Sequence, residues 1–129
     1  MIRLGTDIVY IPRIQAAFER FGDRFLHRVY TPREQYDCGY ALNSHTRPSI
    51  HQLAGRWAAK EAVAKALATG WRGIGYTEIE IQRQTSGAPA VYLHGRAAAL
   101  IATWNKDLSW QLSLSHDRDY AIATAILFC

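Results

Sequence analysis

The chain has 129 residues, enough for one domain, and 49% hydrophobic with 20% charged residues is a globular composition that excludes disorder. A chain this long buries roughly two-thirds of its unfolded surface, so it needs no disulfide or metal staple to fold. Fifteen Lys and Arg against eleven Asp and Glu give a net charge of +4, and twelve of the fifteen cations are Arg. Arginine forks suit phosphate and carboxylate, so an anionic partner (phosphate, nucleic acid or an acidic protein) competes with a merely solvated basic surface.

Residues 2–9 alternate, with Ile2, Leu4, Thr6 and Ile8 on one face and Arg3, Gly5, Asp7 and Val9 on the other, which is a strand signal. Pro12 opens a helix that runs to about Val29, with Ile14, Phe18, Phe21, Phe25 and Val29 as its core face. Beside that face, Arg13, Arg20, Arg24 and Arg28 fall within an arc of about 80° at roughly 100° per residue. The stripe is either a solvated face relieved by Glu19 and Asp23, or a docking surface. Gly22 weakens the helix and invites a break. Thr31-Pro32-Arg33-Glu34 is a capping box with proline at the first helical position, starting a short helix to about Ala41.

Asn43 to Pro48 forms a polar loop, and Ser49-Ile50-His51-Gln52 is a second capping box. It opens a helix to about Thr69, stopped by Gly70, with an apolar stripe of Ile50, Leu53, Ala54, Trp57, Ala64 and Ala68. Trp71 to Gly75 is a glycine-rich turn. Thr77 to Gln82 alternates as a strand with Ile79 and Ile81 inward, Ser86 to Pro89 turns, and Ala90 to Leu93 pairs back. An alanine-rich helix from Gly95 to about Asn105 precedes two strands, Trp110 to His116 and Tyr120 to Phe128. Helices early and strands late predict a single α+β domain over 1–129, its mainly antiparallel sheet packed against helices.

Arg3 and Asp7 interrupt the only early apolar stretch, so no signal peptide is expected, and Tyr120 to Cys129 is too short to span a bilayer. Cys38 and Cys129 are far apart and are expected as free thiols in a cytoplasmic protein. Cys38, His45 and His51 lack the spacing of a zinc site.

Glu61 breaks the local rule, because it interrupts an apolar stripe about 40° from Trp57 at roughly 100° per residue. An unpaired carboxylate on such a face is costly. Lys65, one turn on, is its simplest partner. The other reading needs a second carboxylate, and Asp7, inside a strand, is the candidate. Magnesium takes one or two carboxylates and leaves the rest of its shell to water and substrate phosphates. Arg56, Lys60 and Lys65 surround Glu61 and could hold phosphate oxygens. His116 at a strand end is either a structural hydrogen-bonder or a catalytic group. No P-loop and no dinucleotide glycine fingerprint is present.

Gly5-Thr6-Asp7-Ile8-Val9, then Leu53 to Ala62 with its Arg56-Trp57-Ala58-Ala59-Lys60-Glu61 run, then Ser113-Leu114-Ser115-His116-Asp117 resemble the holo-acyl-carrier-protein synthases, small bacterial 4′-phosphopantetheinyl transferases. The resemblance covers nearly the whole chain in order. It implies Mg2+-dependent transfer of phosphopantetheine from coenzyme A to a serine of an acidic acyl carrier protein in lipid synthesis, releasing adenosine 3′,5′-bisphosphate. It places metal binding on Asp7 and Glu61, and coenzyme A contacts on Arg56, Lys65, Thr69, Gly70, Pro89 and His116. Glu61, Lys65 and His116 become the catalytic set, with Glu61 or a metal-bound water taking the serine proton. Arg13, Arg20, Arg24 and Arg28 become the carrier-docking stripe. A homotrimer with sites at the subunit interfaces is implied, with no nucleic acid and no membrane partner. Ala68 and Ala88 stand where the family often has glycine and lysine. The competing readings are transfer to a polyketide or peptide-synthesis carrier and, in another class, a non-catalytic basic binding module.

Overall fold

The computed structural model describes residues 1–41, 46–104 and 107–128. Part of the predicted polar loop (residues 43–45, with His45), the predicted helix end at Asn105, and Cys129 lie outside them. The elements run β1 (Ile2–Tyr10), α1 (Ile11–Phe21), α2 (Asp23–Val29), α3 (Pro32–Asp37), α4 (Ile50–Ala66), β2 (Ile79–Arg83), β3 (Pro89–Leu93), α5 (Gly95–Ala102), β4 (Ser109–Asp117) and β5 (Tyr120–Phe128). One antiparallel sheet has the order β1-β5-β4, and β2 and β3 form a separate antiparallel hairpin. The α+β class and the strand positions agree with the sequence reading.

The core lies where α4 crosses the inner face of β1 and β5. On β1 that face is the Arg3, Gly5, Asp7, Val9 face, and on β5 it is Ala121, Ala123, Ala125 and Leu127, all buried. Small residues on both sides let helix and sheet approach closely. At Gly5 the approach is limiting, because a methyl group there would overlap the Ala62 carbonyl oxygen and come within 2.7 Å of Ala66 N.

The first predicted helix is two helices. Gly22 takes φ +57°, a conformation that side chains with a Cβ resist, and α2 starts afresh after it. The break interrupts the angular progression along the helix. Leu26, beyond the break, is fully buried, while Phe21, expected in the core, is the last residue of α1 and is 46% exposed. The capping box of α3 forms in both directions, with Thr31 Oγ1 accepting from Glu34 N–H at 3.2 Å and Glu34 Oε1 accepting from Thr31 N–H at 2.9 Å. At α4 the hydroxyl half of the second box forms, Ser49 Oγ accepting from Gln52 N–H at 3.3 Å.

Helix α4 is buried on nearly every side, not along one stripe. It ends at Ala66, four residues before the predicted stop. Ala68 takes the left-handed φ of +63° and its N–H reaches Lys65 O at 2.9 Å. Residues 76–78 form a single 3-10 turn, so β2 begins at Ile79, and Ile79 and Ile81 point inward as expected. The outer face of β1 and β5 is apolar and uncovered, with Ile2, Leu4 and Ile8 each more than 60% exposed. The outward residues of β4 are polar instead: Ser109, Gln111, Ser113 and Ser115.

Two substitutions should move stability in opposite directions. Gly5→Ala must push α4 off β1 and should cost at least the upper end of the roughly 1–3 kcal/mol typical of overpacking. Ala68→Gly relieves a left-handed alanine and should add about 1 kcal/mol. Urea unfolding midpoints of the two variants check both.

Candidate active site

Asp7 lies mid-strand in β1 opposite Ala123, and strand alternation turns its side chain toward α4. The Lys65 ammonium reaches back from α4 to Asp7 Oδ1 at 3.2 Å and donates to Thr6 O at 2.9 Å. Lys65 therefore pairs with Asp7, not with Glu61 as the simplest local reading had it. About half of the Lys65 side chain stays exposed, against 17% for Asp7.

Glu61, one turn before Lys65, is partly buried and meets neutral donors. Trp71 Nε1–H donates to its Oε2 at 3.2 Å, and the Tyr76 hydroxyl donates to its Oε1 at 3.3 Å. The Trp71 and Tyr76 rings stack with centroids 3.9 Å apart, and Tyr76 stacks on Trp57 at 5.1 Å. Burial, reinforced by the negative charge of Glu61 and the hydrogen bond to it, pushes the Tyr76 phenol up to about 12. It therefore remains a donor at neutral pH. Asp7 adds to the same effect, so both carboxylates act on one phenol.

Each carboxylate oxygen of Glu61 accepts one of these donors and keeps lone-pair capacity beyond it. Two hard oxygen ligands, one from a strand and one from a helix, suit magnesium, whose remaining positions go to water and substrate phosphate. Among the described residues no group of three or more His, Cys, Asp or Glu side chains gathers. Thr69 and Gly70 follow in the turn after α4, where Thr69 Oγ1–H donates to Gly70 O at 3.0 Å.

A second group forms around the N-terminal half of α4. His51, Gln52, Arg56, Arg83, Pro89 and His116 line a cavity of about 290 Å³. The His51 and His116 rings are 6.2 Å apart, edge to face. Arg56 Nε–H reaches Ile81 O at 3.4 Å, which anchors the guanidinium beneath the β2–β3 hairpin. Two guanidiniums and two imidazoles around one cavity suit phosphate oxygens. The structure thus joins Asp7 to Lys65, one helical turn from Glu61, and brings Arg56, Pro89 and His116 together around a cavity, while Thr69 and Gly70 lie in the turn after α4. None of Asp7, Glu61, Lys65, Thr69 and Gly70 lines that cavity.

Arg13 and Arg20 on α1, and Arg24 and Arg28 on α2, are all exposed. The Arg20 guanidinium lies 5.1 Å over the exposed ring of Phe21, so the stripe carries an apolar element as well.

The profile of the 4′-phosphopantetheinyl transferase superfamily matches residues 3–125. The holo-[acyl-carrier-protein] synthase of Gloeobacter violaceus is 55% identical over 122 residues, 95% of this chain and 89% of that protein. That of Solidesulfovibrio magneticus is 46% identical over 133 residues, 98% of each chain. Among solved structures, the Helicobacter pylori holo-[acyl-carrier-protein] synthase in complex with coenzyme A superposes with a TM-score of 0.81 at 30% identity, covering 97% of this chain and 99% of that one. The Neisseria meningitidis enzyme gives 0.82 at 34% identity over the whole of both chains.

The chain belongs to the holo-acyl-carrier-protein synthase family of 4′-phosphopantetheinyl transferases.

Within this phosphopantetheinyl transferase fold Lys60 has no part in phosphate binding, contrary to its sequence expectation. Its side chain is fully buried and its ammonium pairs with Glu34 Oε1 at 2.7 Å. It also donates to the carbonyls of Tyr76 and Ile79. Burial draws its pKa down while Glu34 opposes the shift. Cys38 is buried, and burial pushes its thiol up to about 11, so it is an inert packing residue. Trp71, Tyr76 and Glu34 were not singled out as site residues from the sequence. Their partners lie across the fold, and only the rule-breaking Glu61 marked the place.

Proposed function

We infer that this chain transfers the 4′-phosphopantetheine group of coenzyme A to a serine of an apo acyl carrier protein. The serine hydroxyl gives its proton to Glu61 or to water as its oxygen bonds to the phosphorus nearer the pantetheine, the bond from that phosphorus to the bridging oxygen breaks, and adenosine 3′,5′-bisphosphate leaves. The observation that carries this reading is the Asp7–Glu61–Lys65 group on a fold shared with synthases, one of them in complex with coenzyme A. Magnesium held by Asp7 and Glu61 would supply charge neutralisation and orientation for the pyrophosphate. Lys65, already drawn to Asp7 and half exposed, brings a positive charge to the same phosphates. Arg56 and His116, with Pro89 on the hairpin, hold phosphate oxygens at the cationic cavity, and Thr69 and Gly70, in the turn after α4, add coenzyme A contacts. Catalysis then rests on positioning and electrostatics. The buried, unpaired Cys38 suits a reducing compartment, so the reading includes the cytoplasm and fatty-acid synthesis.

The separation of the two groups within one chain supports an assembly in which one copy's carboxylates face the next copy's cavity. The uncovered apolar face of β1 and β5 supports a homotrimer closed through that sheet, since such faces mark interfaces. The exposed arginines of α1 and α2, with Phe21 among them, support the carrier-docking role of Arg13, Arg20, Arg24 and Arg28.

Three outcomes check these points. Intact-protein mass spectrometry of an apo acyl carrier protein incubated with this protein, coenzyme A and Mg2+ should show a gain of one phosphopantetheine. Chelator should abolish the gain, and Asp7→Ala or Glu61→Ala should remove it while the fold survives. Near-normal transfer by either variant would end the metal assignment, and a fatty-acid, polyketide and peptide-synthesis carrier panel identifies the preferred carrier. Refolding a 1:1 mixture of Glu61→Ala and His116→Ala chains should restore about a quarter of wild-type sites, if each site draws on two copies of a ring. No recovery above the separate variants would place the whole site in one chain. Arg13→Glu or Arg20→Glu should raise the carrier KM severalfold, leave the coenzyme A KM unchanged, and reduce the salt sensitivity of carrier binding.

A further inference from the structure

Glu61 is held in an unusual way for a carboxylate on a helix. The adjacent cation, Lys65, is diverted to Asp7. The next cation inward, Lys60, is committed to Glu34. What Glu61 receives is one neutral donor on each oxygen, the Trp71 indole N–H on Oε2 and the Tyr76 hydroxyl on Oε1. Two donors on different oxygens fix the plane of the carboxylate, which a flexible glutamate otherwise samples freely. Being neutral, they do so without cancelling its charge, as a lysine or arginine would.

The donors are themselves held. Their rings stack on each other and on Trp57, which packs at 6.3 Å against Phe25. The Tyr76 backbone is tied down separately, because the buried Lys60 ammonium donates to its carbonyl oxygen at 2.9 Å. Helix α4 therefore presents Glu61 and, from the preceding residue, anchors the turn that carries one of the donors to Glu61.

We propose that Trp71 and Tyr76 are positioning residues that hold Glu61 oriented and fully charged as a cation ligand. The proposal rests on the metal-binding reading of Glu61 and names the groups that tune it. Carboxylates that bind metals are commonly oriented by outer hydrogen bonds, whose loss weakens metal affinity by about 10- to 100-fold.

The test is Mn2+ binding, read from the free-ion electron paramagnetic resonance signal, with coenzyme A present and carrier absent so that no turnover occurs. Tyr76→Phe removes one oxygen and Trp71→Phe one N–H, and both keep an aromatic ring in the stack. The double variant should bind Mn2+ at least about tenfold more weakly, with the urea midpoint of each single variant close to wild type. Its transfer rate should recover at high Mg2+, which a misfolded site would not allow. Glu61→Gln is the reference. If it loses Mn2+ affinity and the double variant does not, the positioning role is wrong and the metal reading stands. If Glu61→Gln binds Mn2+ normally, the metal reading fails and the positioning role fails with it. Should Trp71→Phe unfold, Tyr76→Phe alone decides, and an unchanged Mn2+ affinity overturns the proposal.

Discussion

The closeness of α4 to β1 is the constraint on which the site depends. Asp7 and Glu61 are 54 positions apart in the chain, and the crossing of helix and strand brings Asp7 to Lys65, one turn from Glu61. That crossing is as near as backbones allow, because Gly5 has no room for a methyl group over the Ala62 carbonyl. The alanines of α4 and β5 serve the same end, offering little side-chain volume between the layers. A larger residue at Gly5 would widen the gap in which Lys65 spans from helix to Asp7. The glycine two residues before the carboxylate is thus part of the site's geometry, although it touches no ligand.

A second device secures the opposite side of α4. Lys60 and Glu34 are both fully buried, and their pair collects backbone groups from three places: the Thr31 N–H, the Ile81 N–H, and the Tyr76 and Ile79 carbonyls. Buried charges are costly unless fully hydrogen-bonded, and here both are. The pair joins α3, α4 and the start of β2, so it sets where the β2–β3 hairpin lies over Arg56. One element is thereby held to two others that border different halves of the functional surface. Glu34 is also the capping-box residue of α3, so the same carboxylate caps the start of a helix locally and pairs a charge at long range.

Much of this was legible in the sequence, and the exceptions have physical reasons. The strands were placed because alternation and turns are local. The carboxylate pair is proposed from the sequence because Glu61 violates an apolar pattern and the Gly5–Asp7 and Arg56–Glu61 runs resemble a known family. The division of labour between Lys60 and Lys65 was not legible. On a helix where alanine appears on every side, small residues mark no single buried face, so periodicity cannot say which charged side chain goes inside. Leu26 is absent from the predicted core face for a related reason, because the glycine at φ +57° resets the helical phase beyond Phe21. Trp71 and Tyr76 were passed over because their role depends on the path of a turn, and turn paths leave only a weak trace in residue order.

The helix also keeps the two groups of charged side chains apart within one chain. Arg56 and Lys65 are nine residues apart, about 14 Å along the axis and about 180° around it. Gln52 and Arg56, one turn apart, share the cavity face, while Glu61 and Lys65 share the face toward Asp7. A rigid helix cannot turn both faces toward one ligand, and both are fixed here, one by the Ile81 carbonyl and one by the Asp7 carboxylate. A ligand with charged groups at both ends must therefore pass around α4 or meet the two faces on different copies. The second route leaves each copy's packing untouched and uses the apolar outer sheet face that the single chain leaves open to water. In the proposed homotrimer, burying that face and completing the anion site are consequences of one association, which would tie the enzyme's stability to its competence.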